Sequence, residues 1–230
     1  MSRILVFDTE TTGLPRVRQC TPHNVDNFPH VVQFSYIIYN EDDKNIEKVV
    51  DHVIRVPDNV TISAESTSFH GITTKISREK GIDMGDCLLE FVRDYYTVSA
   101  IVAHNMDFDL SFLHAELYRW QRKNKNDTDF MKKINGFMAD LNNTRMYCTM
   151  QDGVELCNIT AIRPSDGSTY AKFPKLSELH NHLFGFVPKN LHNSLNDVVI
   201  CLRCYYMIKF SIDLLTIDSK FEKMMNLLTP

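Results

Sequence analysis

Val6-Phe7-Asp8-Thr9-Glu10-Thr11-Thr12-Gly13-Leu14 is the stretch on which the reading of this chain turns. It completes a short apolar run, residues 3–8, with the make-up of a buried strand. Asp8 and Glu10 lie two apart, so on an extended backbone both side chains point to one face. Two carboxylates side by side at the margin of a core repel, and they either take up protons or hold a cation. Hard divalent ions such as Mg²⁺ prefer carboxylate oxygens. Taken alone, the pair has a plain alternative: two solvated acids at a strand end.

Working outward, residues 30–39 and 48–55 are rich in β-branched and aromatic side chains and read as two further strands. The polar turn 40–44 joins them, so the three form an antiparallel meander. In residues 84–96, Leu88, Leu89, Phe91, Val92 and Tyr95 recur at helical spacing. Residues 100–104 read as a fourth strand, and Leu110, Leu113, Leu117 and Trp120 then mark one helix face. A fifth strand is expected at 146–149. Leu176, Leu179, Leu183 and Phe184 form another helical stripe, and residues 198–210 begin a long C-terminal helix. The expectation is an α/β fold, a mixed sheet covered by helices.

The 230 residues suit one domain, 1–230, interrupted by an irregular loop at 15–29 and an insertion at about 122–143. With 43% hydrophobic and 23% charged residues, the composition excludes a disordered or fibrous protein. A formal net charge of -4 leaves no basic field that would identify a nucleic-acid binder by charge alone. Arg119, Arg122, Lys123 and Lys125 concentrate positive charge at the head of the insertion. They read equally well as contacts to a substrate backbone or as a solvated helix face. The apolar runs are too short to span a bilayer, and Asp8 and Glu10 fall where a signal peptide needs apolar residues. An intracellular chain, cytoplasmic or nuclear and not secreted, is therefore expected, with no membrane partner. The six cysteines are irregularly spaced and read as free thiols, Cys201-x-x-Cys204 among them on a buried helix.

Two more segments carry acids at element boundaries. In Ala103-His104-Asn105-Met106-Asp107-Phe108-Asp109-Leu110 a strand ends and a helix begins. Either aspartate could cap that helix. Asp109 opens the apolar stripe and is the functional candidate. In His192-Asn193-Ser194-Leu195-Asn196-Asp197, residues five apart on one helix would diverge by about 140°. His192 and Asp197 share a site only if the histidine precedes the helix, with Asn193 or Ser194 as its N-cap. The local alternative is a capping box, Ser194-x-x-Asp197. Four acids and a histidine, each at a strand end or helix start, have together the composition of a two-metal phosphoryl-transfer site with a general base.

Phe-Asp-Thr-Glu-Thr-Thr-Gly-Leu at 7–14, Phe-His-Gly-Ile at 69–72, Ala-His-Asn-x-x-Phe-Asp at 103–109 and His-x-x-x-x-Asp at 192–197 resemble, in order, the motifs of DnaQ-like DEDDh 3′-5′ exonucleases. The resemblance covers about residues 1–210. It implies an RNase H-like fold: three antiparallel strands, then parallel ones, in a five-stranded mixed sheet flanked by helices. It implies a metal-dependent enzyme releasing nucleoside 5′-monophosphates from the 3′ end of DNA, with two Mg²⁺ ions for which Mn²⁺ substitutes. Asp8, Glu10, Asp109 and Asp197 match the metal ligands and His192 the general base. Thr11, Gly13, Leu14, His70, Asn105 and Phe108 match positions lining the terminal nucleotide. Ordinary core packing is the alternative for Leu14 and Phe108. Asp107 falls where the family is usually non-acidic. The segments 172–179 and 147–150 are similar to stand-alone members from large DNA viruses. The implied partner is single-stranded or 3′-end nucleic acid, DNA ahead of RNA, and a polymerase or other protein partner stays open. An exoribonuclease of the same fold is the nearest alternative. A catalytically dead binding module would have lost a motif residue, and all five are present.

Overall fold

The protein is described by a computed structural model covering residues 2–17 and 19–229. Its framework is a five-stranded sheet built from β1 (Arg3–Thr11), β2 (Val31–Asn40), β3 (Asn45–Val53), β4 (Ala100–Ala103) and β5 (Arg145–Cys148). The spatial order is β3-β2-β1-β4-β5. The first three strands are antiparallel, while β4 lies parallel to β1 and β5 parallel to β4. This is the mixed sheet the sequence implies. The helices are α1 (Ala64–His70), α2 (Thr74–Lys80), α3 (Met84–Tyr95), α4 (Met106–Lys123), α5 (Thr128–Leu141), α6 (Thr149–Cys157), α7 (Leu176–Phe184), α8 (Ser194–Phe210) and α9 (Ser219–Asn226). A small ribbon, β6 (Thr160–Ile162) with β7 (Thr169–Ala171), stands apart from the main sheet.

Both faces of β1 are covered, and its alternation sorts the core into two layers. Leu5 and Phe7 face α3, α4 and α5, whereas Ile4 and Val6 face α7, α8 and α9. In the first layer Phe7, Phe34 and Phe91 pack together with ring centroids 5.1–6.2 Å apart. Phe91 is fully buried, so its truncation to Ala would cost about 3–5 kcal/mol. In the second layer α8 is apolar nearly all round and is buried over most of its length, as such a helix requires. Its one buried cation, Arg203, forms two bonds to Asp213, at 2.9 and 2.7 Å, and lies over the Phe184 ring. Among the described residues no helix is long and apolar enough to cross a membrane. All six cysteines are free.

The stretch 122–143, polar in overall composition, contributes to the core. α5 buries Ile134, Phe137 and Leu141, spaced three and four apart on one face. Of the basic residues before it, Arg119 and Arg122 bond to the 20–29 loop and Lys123 to the start of α3. Arg119 donates to the carbonyls of Val25, Phe28 and Pro29 and to Glu116. Arg122 reaches Asp26 and the Pro22 carbonyl, and Lys123 lies 3.5 Å from Asp83. The physical reason is that the 20–29 loop has carbonyls with no strand partner, and guanidinium groups satisfy them. Arg119 and Arg122 thereby clamp this loop to α4.

Candidate active site

Three chain segments converge at the C-terminal ends of β1 and β4. A register shift at Glu10/Thr11 precedes the last pair of β1 with β2, Thr11↔Val31. Asp8 and Glu10 precede it on the face that meets α8. Asn105, with a left-handed φ of 72°, turns the chain from β4 into α4 and places Asp109 in the first turn. Asp109 is buried and accepts from both the backbone N (3.0 Å) and the hydroxyl (2.8 Å) of Thr9. Asp107 is exposed on the same helical turn.

The third segment is a tight turn before α8. His192 has φ 64°, a conformation that costs a non-glycine residue about 1–2 kcal/mol. Asn193 is the N-cap and accepts from Asn196 N. His192 therefore lies outside the helix and Asp197 inside its first turns, the one arrangement that lets both face a common site. The backbone N–H of His192 donates to Asp197 Oδ2 at 3.2 Å. The capping box does not form. Instead the buried Ser194 hydroxyl donates to the Asp8 carbonyl at 2.7 Å, pinning α8 to β1.

Glu10, His192 and Asp197 present ligand atoms that all lie within 4.8 Å of one another. Burial, then the charges of Asp109, Asp197 and Glu10, hold the Asp8 carboxyl well above its ordinary value. Burial, then Asp197 and Asp109, push Glu10 up to about 8. Burial lifts Asp109 to about 7 against the Thr9 hydrogen bonds, and Asp197 to about 7 against the His192 N–H. Four carboxylates this close favour protons or a cation. Asp197 Oδ1 is buried without a hydrogen-bond partner, an acceptor left for something outside the chain. An oxygen-rich acidic donor set with an orphaned buried oxygen fits hard divalent cations.

Around this cluster, Thr11 is buried and its hydroxyl donates to the Gly13 carbonyl at 2.7 Å. A Cβ at Gly13 would meet nothing within 4 Å, so open space lies beside the backbone there. Leu14 is 81% exposed and has no part in the core. Phe108 is half-buried and packs on Phe112, with centroids 4.8 Å apart, so core packing accounts for much of its role. His70 closes α1 and is buried, which lowers its pKa; its Nδ1 accepts from Ile72 N. Phe69, beside it, is 58% exposed and sets its ring edge-on to the His192 imidazole at 5.7 Å. Sequence reasoning gave Phe69, Thr9 and Ser194 no role at the site. Phe69 is legible in the sequence only as the first residue of Phe-His-Gly-Ile at 69–72.

A five-stranded mixed sheet, flanked by helices and bearing acids at its strand ends, defines an exonuclease fold. The chain belongs to the exonuclease family RNase_T, whose profile matches residues 5–205. It is DnaQ-like. It is 28% identical over 136 residues to DNA polymerase III subunit epsilon of Buchnera aphidicola subsp. Acyrthosiphon pisum (strain APS), covering 55% of this chain and 49% of that protein. In fold it is similar to E. coli Exonuclease I in complex with a dT13 oligonucleotide. There the TM-score is 0.60 at 16% identity, over 91% of this chain and 41% of the other. Exonuclease I from Methylocaldum szegediense gives a TM-score of 0.57 at 15% identity, over 94% and 42%. The chain thus spans half or less of the length of these relatives.

Proposed function

We propose that the chain is a 3′-5′ exonuclease of DEDDh type that removes nucleoside 5′-monophosphates from the 3′ end of DNA. The observation that carries this is the convergence of Asp8, Glu10, Asp109, Asp197 and His192 from three distant segments on one spot. Asp8, central among the acids, would share in holding two Mg²⁺ ions, with Glu10 and Asp197 serving one and Asp109 the other. Such ions offset phosphate charge and make water a stronger acid. His192, exposed beside Glu10 and Asp197, takes the proton of the attacking water. Thr11, Gly13, Leu14, His70, Asn105 and Phe108 line the terminal nucleotide, with Gly13 giving close backbone approach and Leu14 free to wedge against a base. The preference for DNA is supported by the relatives, a DNA polymerase subunit and an exonuclease bound to a dT oligonucleotide. A single domain over 1–230 is part of the same reading.

Digestion of 5′-labelled DNA and RNA oligonucleotides of one sequence with Mg²⁺ tests it. A ladder shortening from the 3′ end, faster on DNA, is the expected result. Faster RNA digestion would move the assignment to an exoribonuclease, and internal cuts or no cleavage would reject it.

A further inference from the structure

The face of the sheet that meets α8 is apolar along Ile4, Val6, Ile37 and Tyr39, and then turns polar toward the site. Cross-strand partners share a face, so the pairs Glu10↔Gln33, Asp8↔Ser35 and Ser35↔Asp51 put five polar side chains side by side. Asp8 and Glu10 belong to the acidic cluster. Gln33 and Ser35 are almost wholly buried in a strand that otherwise reads Val-Val-x-Phe-x-Tyr-Ile-Ile, and the site chemistry above does not use them.

Their hydrogen bonds form a directed relay. Gln33 Nε2 donates to Asp51 Oδ1 at 2.7 Å, and the Ser35 hydroxyl donates to the same oxygen at 2.8 Å. A carboxylate only accepts, so Asp51 fixes the amide of Gln33 in one orientation. Gln33 Oε1 is thereby left to accept, and it takes the backbone N–H of Ser194 at 3.2 Å. Ser194 is the first residue of α8 and lies two positions after His192, whose left-handed backbone persists only if its surroundings hold it. Asn196 Nδ2 steadies the other side of the turn by donating to the Asn190 carbonyl at 2.8 Å.

We infer that Gln33, oriented by Asp51, is a positioning residue that sets the first turn of α8 and so aims His192 and Asp197 at the acids of β1. This rests on the exonuclease reading for its consequence in turnover. The relay itself can be read without turnover.

Gln33→Met keeps the length and removes both bonds. Gln33→Glu sets one carboxylate against another. Gln33→Glu combined with Asp51→Asn restores the relay with one donor and acceptor exchanged. In that double variant the carboxylate introduced on β2 accepts from Ser194 N–H and from the amide introduced on β3, whose NH₂ stands where Asp51 Oδ1 stood and gives its second hydrogen to the Ser35 hydroxyl oxygen. Both single variants should lower kcat per folded molecule about 10–100-fold with KM nearly unchanged, the scale of a slightly misplaced group. The double variant should recover toward the wild-type kcat, above Gln33→Glu alone. Amide exchange of Ser194 gives the second readout: at least about tenfold faster in both single variants and slow again in the double. Wild-type kcat in Gln33→Met, or no recovery in the double variant, would overturn the inference. So would losses that merely follow the unfolded fraction. If wild-type protein cleaved no strand, the exonuclease reading would fail, and unchanged Ser194 exchange would separately reject the relay.

Discussion

Asp109 accepts two hydrogen bonds from Thr9, one hundred positions earlier in the chain, through its backbone N at 3.0 Å and its hydroxyl at 2.8 Å. Both fall on Oδ1, so the acid of α4 is locked to the strand that carries Asp8 and Glu10. Thr9→Val keeps the backbone bond and loses the hydroxyl one. It should weaken Mn²⁺ binding about tenfold and lower kcat, with the β-branched side chain preserving the strand. Calorimetric titration checks this, and unchanged affinity would show that the hydroxyl does not orient Asp109.

Asp8→Asn removes one of four clustered carboxylates. Hydrolysis should fall below detection, while the metal-free melting temperature at about pH 8 should rise by about 2–4 °C, the shift that corresponds to about 1 kcal/mol in a chain of this size. A large fall in that temperature would instead make Asp8 a structural residue.

The same carboxyls give the metal-free protein a defined pH dependence. In the unfolded chain they titrate near 4. In the fold, burial holds Glu10 at about 8 and Asp109 and Asp197 at about 7. The folded state therefore binds these protons more tightly. Their contribution to stability is complete below about pH 4 and is lost as pH rises through about 7–8. Thermal melts without metal should decline between about pH 5 and about pH 8, and Mn²⁺ should flatten the decline by binding the folded state. Parallel curves with and without Mn²⁺ would contradict this.

His192→Ala should lower kcat by about 10²–10⁴-fold, the range for a lost general base. Mn²⁺ affinity should change far less than in Asp8→Asn. An equal loss of affinity in the two variants would make His192 a ligand, which its position within 4.8 Å of Glu10 and Asp197 atoms also permits.

Arg119 carries a purely structural prediction. Arg119→Met leaves three loop carbonyls without their donor and Glu116, whose side chain is only 7% exposed, with Val31 N–H and His30 as its remaining partners. Urea unfolding should show a loss of about 3 kcal/mol, as for a buried pair broken on one side. A loss under about 1 kcal/mol would mean that the 20–29 loop is held by its apolar anchors alone.

Much of this was legible in the chain because it depends on local composition and spacing. An apolar run marks β1, β-branched and aromatic residues mark β2 and β3, and His192 and Asp197 can share a site only if a helix starts between them. What was not legible depends on contacts between distant residues. Gln33 is one polar residue in an apolar strand, and its partner Ser194 lies 161 positions away. Arg119 looked like free charge because all its partners but Glu116 are backbone carbonyls, which no side-chain pattern reveals. α5 carries its apolar residues at helical spacing, but Lys132, Lys133, Asn135 and Asp140 between them diluted the signal. The β6–β7 ribbon, with three residues per strand, was too short to register.

The most direct test of the site is crystallographic. Crystals grown with Mn²⁺ and a nucleoside 5′-monophosphate should give two anomalous peaks about 4 Å apart, both against the Asp8 carboxylate, the separation typical of paired metals in phosphoryl transfer. One peak should lie by Glu10 and Asp197 and the other by Asp109. Peaks elsewhere, or none with the nucleotide bound, would contradict the assignment of these four acids to one metal-dependent active site.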